Sequence, residues 1–142
     1  HELRTRRMGH DVLLDVHLVV RPDISVSEGH QIGTRVVASM REKLDNIRDI
    51  NFHIDAENDE VNPHITQPHL PSREEIRTIL ADTIGGYPLN SRLRLHYLKN
   101  RVHLEIFLDE AGSPAGLTAR TAREALEGFD WFGSVKVWQP AN

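Results

Sequence analysis

Two short runs of strict alternation, separated by one helical stripe, constrain this chain most. From Asp11 to Val20, residues Val12, Leu14, Val16, Leu18 and Val20 point one way, and Leu13, Asp15, His17 and Val19 point the other. Ile50 to Asp55 alternates in the same way, with Ile50, Phe52 and Ile54 inward and Asn51, His53 and Asp55 outward. A period of two is that of a half-buried strand. Pro22–Asp23 breaks the first run. Ser25-x-x-Glu28 then reads as a capping box opening a helix, whose apolar positions Val26, Ile32, Val36, Val37, Met40 and Leu44 run through about residue 45. With a weaker strand over residues 2–7 and a turn at Met8–Asp11, the first part of the chain is predicted to be a ββαβ unit.

The outward residues carry the chemistry. If both strands share one sheet and pack their apolar rows on one core, His17, His53 and Asp55 lie together on its other face, beside Asp15. His30 falls in the first turn of the helix at the edge of its stripe, and His1 stands at the start of the chain. The candidate metal ligands are therefore His1, His17, His30, His53 and Asp55. All are nitrogen or oxygen donors and there are no cysteines, which suits Zn²⁺ and its first-row neighbours and argues against Cu(I) and iron–sulfur clusters. Solvated surface histidines are the plain alternative. Asp55 two residues from His53 weighs against it, because an acid beside an imidazole either ligates with it or orients it. His30 alone reads better as a capping or half-buried side chain.

Composition narrows the function. The 142 residues, 39% hydrophobic and 27% charged, fit one soluble domain or two very small ones. No apolar run spans a bilayer and no signal-peptide pattern appears. A net charge of −4 argues against a nucleic-acid partner, the basic run Arg4, Arg6, Arg7 being too short to change that. The start at His1, without methionine, reads as a fragment of something longer.

Residues 56–71, with Pro63, Pro68 and Pro71 among acidic and amide side chains, read as a linker. Its His64 and His69 make a weak second metal site with Glu57 or Asp59, although solvated loop histidines are the favoured reading. Residues 72–142 then form a second unit. Ser72-x-x-Glu75 caps a helix with the stripe Ile76, Ile79, Leu80 and Ile84, ended by Gly85–Gly86. Strands 92–98 and 101–108 make a hairpin about Lys99–Asn100, followed by a helix near 117–127 and a strand over 133–138. The order is αββαβ, a degenerate repeat of the first unit. Leu3-Arg4 against Leu93-Arg94 and Val16-His17-Leu18 against Val102-His103-Leu104 suggest the duplication, although hairpin lengths disagree with that register. His96 and His103, on neighbouring strands, read as structural. Phosphate loops, the G-x-S-x-G elbow and H-E-x-x-H are all absent, and no nucleophile–base pair stands out, so no enzyme is expected.

His1-Glu2-Leu3-Arg4-Thr5-Arg6, Val16-His17-Leu18, Ser25 to His30 and Phe52-His53-Ile54-Asp55 together resemble the cytoplasmic C-terminal domain of cation diffusion facilitators, closest to the bacterial zinc and iron efflux branch. The resemblance covers residues 1–55. It implies an α+β, ferredoxin-like (metallochaperone-like) fold and a homodimer. The whole protein would be a proton-coupled divalent-cation exporter whose six membrane helices, absent here, hold the transport site. It also implies a binuclear site at His1, His17, His30, His53 and Asp55, the carboxylate bridging. Related tails end soon after H-x-D, whereas this chain continues to Asn142.

The expected function is a cytosolic, zinc-sensing dimerisation domain of an efflux transporter, soluble in itself and lying on the cytoplasmic side of the inner membrane. Its expected partners are a second copy, divalent metal and the membrane part of its own chain. Co²⁺, Ni²⁺, Fe²⁺, Mn²⁺ and Cd²⁺ stay open beside Zn²⁺. Affinity should fall below about pH 6, since imidazole must lose its proton to ligate. The alternatives are a stand-alone metallochaperone or metal buffer and a dinuclear metallohydrolase, the latter lacking an identifiable cleft and general base.

Overall fold

A two-residue turn at Gly9–His10 joins β1 (Arg4–Met8) to β2 (Asp11–Val19) as an antiparallel hairpin, Met8 facing Asp11 and Arg4 facing Asp15. Gly9 makes the turn at φ 64, a left-handed value that glycine reaches without steric cost. Helix α1 (Val26–Lys43) starts where the Ser25 hydroxyl accepts the Glu28 N–H at 3.1 Å, and it returns the chain so that β3 (Ile47–Asp55) pairs parallel with β2. The sheet order is β1-β2-β3. The computed structural model describes residues 1–58, 69–84, 92–108 and 117–139. The expected linker histidine His64 and the helix-ending Gly85–Gly86 lie outside these residues. The chain divides into two units, His1–Pro63 and His64–Asn142.

The packed face of α1 differs from the predicted stripe. Val26 is 91% exposed, and Ile32 and Leu44 are also exposed, while the buried helix residues are Gly29 and Gly33. Val37 and Met40 complete the face against a core of Leu14, Val16 and Ile50. Close approach is the reason. A Cβ on Gly33 would fall inside the Phe52 ring, and one on Gly29 would sit 3.0 Å from Ile54 Cγ2. Glycine at four-residue spacing brings the helix down onto β3, which a search for apolar side chains cannot register.

The second unit runs α2 (Arg73–Ile84), β4 (Arg92–Leu98), β5 (Arg101–Phe107), α3 (Ala119–Leu126) and β6 (Phe132–Trp138), with sheet order β4-β5-β6. Ser72 and Glu75 form the expected capping box: Ser72 N–H donates to Glu75 Oε2 at 2.7 Å and Glu75 N–H to Ser72 Oγ at 3.3 Å. Thr118 and Thr121 make another at α3. Lys99 and Asn100, both left-handed (φ 52 and 56), close the β4–β5 hairpin. Ile76, Leu80, Leu104, Ile106, Leu117 and Leu126 are all at most 2% exposed and form the centre of this core. Both units are α+β with a three-stranded sheet, of ferredoxin-like ββαβ type. No described helix is long and apolar enough to cross a membrane.

The two hairpins share one register. Arg4 faces Asp15 as Arg94 faces Glu105, and Met8 faces Asp11 as Leu98 faces Arg101, a constant offset of 90 residues. The crossover pairs also agree. Val12 meets Ile47 as Val102 meets Phe132, each with a register shift at the next residue, an offset of 85 in the last strand. This corrects the sequence comparison in one respect. Leu3-Arg4 does match Leu93-Arg94, but Val16-His17-Leu18 matches Ile106-Phe107-Leu108, and Val102-His103-Leu104 matches Val12-Leu13-Leu14. The hairpin lengths agree. Turn length sets the register of a hairpin, so a local tripeptide likeness is a poor guide to it.

Candidate metal centre

Three of the expected ligands, His17, His53 and Asp55, come together at one end of the first sheet because β2 and β3 run parallel and in step. His17 lies directly beside His53, and Val19 beside Asp55. Their alternation puts His17, His53 and Asp55 on the face away from α1, as the sequence predicts. His17 and His53 stack, with centroids 4.5 Å apart and planes 18° apart. Asp55 Oδ2 lies 2.8 Å from His17 Nδ1 and 3.1 Å from His1 Nε2.

A bulge brings His1 in. His17 N–H donates to the His1 carbonyl at 3.2 Å, and the His1 amino group to the His17 carbonyl at 3.2 Å. Since Arg4 faces Asp15, the three steps from Arg4 to His1 match two steps from Asp15 to His17. The extra residue is accommodated at Glu2, whose φ of 50 is left-handed. Such a bulge re-aims side chains, and here both His1 and Glu2 reach His17. The His1 and His17 rings meet edge to face at 5.2 Å, and Glu2 Oε2 lies 3.8 Å from His17 Nε2.

Glu2 was not among the residues singled out from sequence. Its only local sign was an acid between His1 and a basic strand, and its role depends on the bulge. It also accepts from Arg4 Nη2 at 2.8 Å, which holds its carboxylate in place. Nδ1 of His17 is turned to Asp55, and its Nε2 faces the Glu2 carboxylate.

One ligand atom each from His1, His17 and Asp55 lies within 4.8 Å of the others. Their setting is half-enclosed, the His1 and Asp55 side chains being 10% and 18% exposed. The residues fit a metal on two grounds. Two imidazoles and a carboxylate are borderline-to-hard donors of the kind Zn²⁺ and its neighbours take. His1 Nδ1 is buried with no hydrogen-bond partner among the described residues, although buried polar atoms are normally satisfied.

His53 stands next to this trio through its stack on His17 but is not one of its three members. His30 is elsewhere. It is exposed on α1, and its ring meets Phe52, on the core side of β3, at 5.6 Å. Of the five expected ligands, therefore, three gather, one adjoins and one stays apart. His69 lines a separate cavity of about 480 Å³ with Glu74, Glu75, Ile79 and Trp131. His96 and His103 face each other across β4 and β5, and His103 Nδ1 lies 2.9 Å from Ser134 Oγ.

Residues 1–57 match the family model described as the cytoplasmic domain of cation efflux proteins. Over 55 residues the chain is 40% identical to metal tolerance protein C1 of Arabidopsis thaliana, a span that covers 39% of this chain and 12% of that protein.

Proposed function

Because residues 1–57 match the cytoplasmic domain of cation efflux proteins, we propose that this chain is the metal-sensing regulatory part of a proton-coupled divalent-cation exporter, with zinc as the metal sensed. The matched family is a transporter domain rather than an enzyme family. The observation that carries the reading is the gathering of His1, His17 and Asp55 within 4.8 Å inside the matched segment. The H-x-L-R-T-R start and the H-x-D strand favour the bacterial zinc and iron branch.

His1, His17 and Asp55 would hold the metal, with His53 and Glu2 beside them to complete or orient the set. A bound Zn²⁺ would supply a cross-link between three chain segments. His1 precedes β1, His17 is on β2 and Asp55 ends β3, so ligation would clamp the open end of the sheet. If that end lies at or near a contact with a second copy, the clamp would favour one arrangement of the two domains, and hence of the membrane part joined to them. Such a shift is limited to the difference in affinity between the arrangements. An isologous homodimer is the commonest way for identical domains to associate.

Calorimetric titration with Zn²⁺ tests the site. His17→Ala and Asp55→Ala should each remove the main binding step, while His69→Ala should leave it unchanged. Unaltered stoichiometry and affinity in the first two variants would sink the assignment. Light scattering tests the second copy, with a dimer expected both with and without Zn²⁺.

A further inference from the structure

Among His1, His17 and Asp55, His17 is the imidazole with a carboxylate at each end of its ring. Asp55 Oδ2 lies 2.8 Å from Nδ1, and Glu2 Oε2 lies 3.8 Å from Nε2. His1, by contrast, meets Asp55 through Nε2 and has no partner at Nδ1 among the described residues.

The two carboxylates are differently engaged. Asp55 Oδ2 receives both imidazoles, His17 at 2.8 Å and His1 at 3.1 Å, so nitrogen donors converge on one oxygen where a shared cation is stabilised. Glu2 Oε2 instead accepts from Arg4 Nη2 at 2.8 Å, a guanidinium that already supplies the positive partner a metal would bring. The Asp55 side of the His17 ring therefore suits the cation, and the Glu2 side suits a proton. An imidazole that ligates through one nitrogen carries its proton on the other, and that N–H is ordinarily directed at a carboxylate, a carbonyl or water. For His17 the carboxylate in reach is Glu2. Their separation exceeds an N–H···O bond by about 1 Å, a gap that rotation of the half-exposed Glu2 side chain closes.

The backbone points the same way. Glu2 sits at φ 50, a left-handed value that a non-glycine residue adopts at a cost and keeps where its surroundings enforce it. Here the two main-chain bonds between His1 and His17 enforce it, and the bulge they close delivers the carboxylate to the ring.

We propose that Glu2 is a positioning residue of the metal site: its carboxylate takes the Nε2–H of His17, so that His17 ligates through Nδ1, and Arg4 holds the carboxylate for that task. The inference rests on the metal-binding reading given above and assigns a role to two residues beyond the ligands.

The whole chain is titrated calorimetrically with Zn²⁺, and the zinc-bound protein, isotope-labelled in its histidines, is examined by NMR, which tells a ligating ring nitrogen from a protonated one. The wild type should show His17 ligated at Nδ1 and protonated at Nε2. Glu2→Gln, which keeps the side-chain length, should weaken Zn²⁺ binding about tenfold or more, as loss of a carboxylate behind a metal-bound histidine does. Arg4→Gln should weaken it by less, and should add little once Glu2 is Gln, because both act through one contact. Arg6→Gln, the same charge change at another exposed position of β1, should leave affinity unchanged. Circular dichroism confirms that each variant is folded. Ligation of His17 through Nε2 overturns the proposal, as does a Glu2→Gln variant with wild-type affinity or an Arg6→Gln variant weakened as much as Arg4→Gln. His17→Ala separates the two levels. If it binds Zn²⁺ like the wild type, the metal assignment itself fails; if it loses the metal while Glu2→Gln keeps it, the role of Glu2 alone falls.

Discussion

The two units share a hairpin register and a crossover bulge, yet they are held together differently. Among the described residues, the second buries eleven residues in one cluster, nine of them from α2, α3 and all three strands, with Leu108 and Leu117 beside them, whereas the buried hydrophobics of the first are Leu14, Val16 and Ile50. The first has one helix across its sheet and presses it down through glycines. The second has two helices with large side chains. A thin core gives little stability of its own, so ligands can contribute a large share of what the first unit has. The comparison teaches that one ββαβ pattern can be core-braced by large side chains or held by a helix pressed close on glycines, depending on what fills the space between helix and sheet.

The largest effect should come from the core-braced unit. Leu104→Ala or Leu126→Ala removes a fully buried side chain and should cost about 2–5 kcal/mol, as large-to-small core changes do. Both tryptophans, Trp131 and Trp138, lie in this unit, so denaturant unfolding followed by tryptophan emission reports on it. A loss below about 1 kcal/mol would break the contrast in core strength. Next comes metal. Zn²⁺ at a hundredfold excess over its Kd should stabilise the first unit by about 2.7 kcal/mol, seen as slower hydrogen exchange of the amides from Ile50 to Asp55. Tryptophan-monitored unfolding should barely move, and His17→Ala should abolish the gain. Equal stabilisation of both units would mean that they unfold as one.

Gly33→Ala sharpens the packing side of the comparison. The new methyl must displace the Phe52 ring, an overpacking that typically costs about 1–3 kcal/mol. Because His53 and Asp55 lie on the same strand as Phe52, weaker Zn²⁺ binding should accompany the lower stability. A neutral result would show that α1 rides higher on the sheet than described.

The smallest effect concerns the start of α2. The Glu75 carboxyl is held below the usual carboxylate range by the Ser72 backbone N–H and then by the Ser72 hydroxyl. A carboxyl depressed in the folded state stabilises above its unfolded pKa and loses that contribution as pH falls through its folded pKa. Glu75→Gln should therefore flatten the acid side of the second unit's stability profile and leave the first unit's unchanged. An unaltered acid limb in the variant would remove Glu75 from the account.

Much of this was legible in the chain. The alternation of Asp11–Val20 and Ile50–Asp55 yields β2, β3 and the shared face of His17, His53 and Asp55, because a period of two is a local property of strands. Ser25, Ser72 and the Lys99–Asn100 turn marked where elements begin or reverse, since caps and tight turns are made by residues a few positions apart. What side chains meet across strands was decided elsewhere. His30 was grouped with the metal residues by its place in a familiar motif, yet α1, lying on Gly29 and Gly33, sets its ring by Phe52. Glu2 reached His17 through a bulge, and Phe107 met Trp138 through a parallel pairing between segments separated by a helix. Local sequence specifies period and turn. Register, bulges and helix height depend on how distant segments pack, and those choices bring together the residues that could share a ligand.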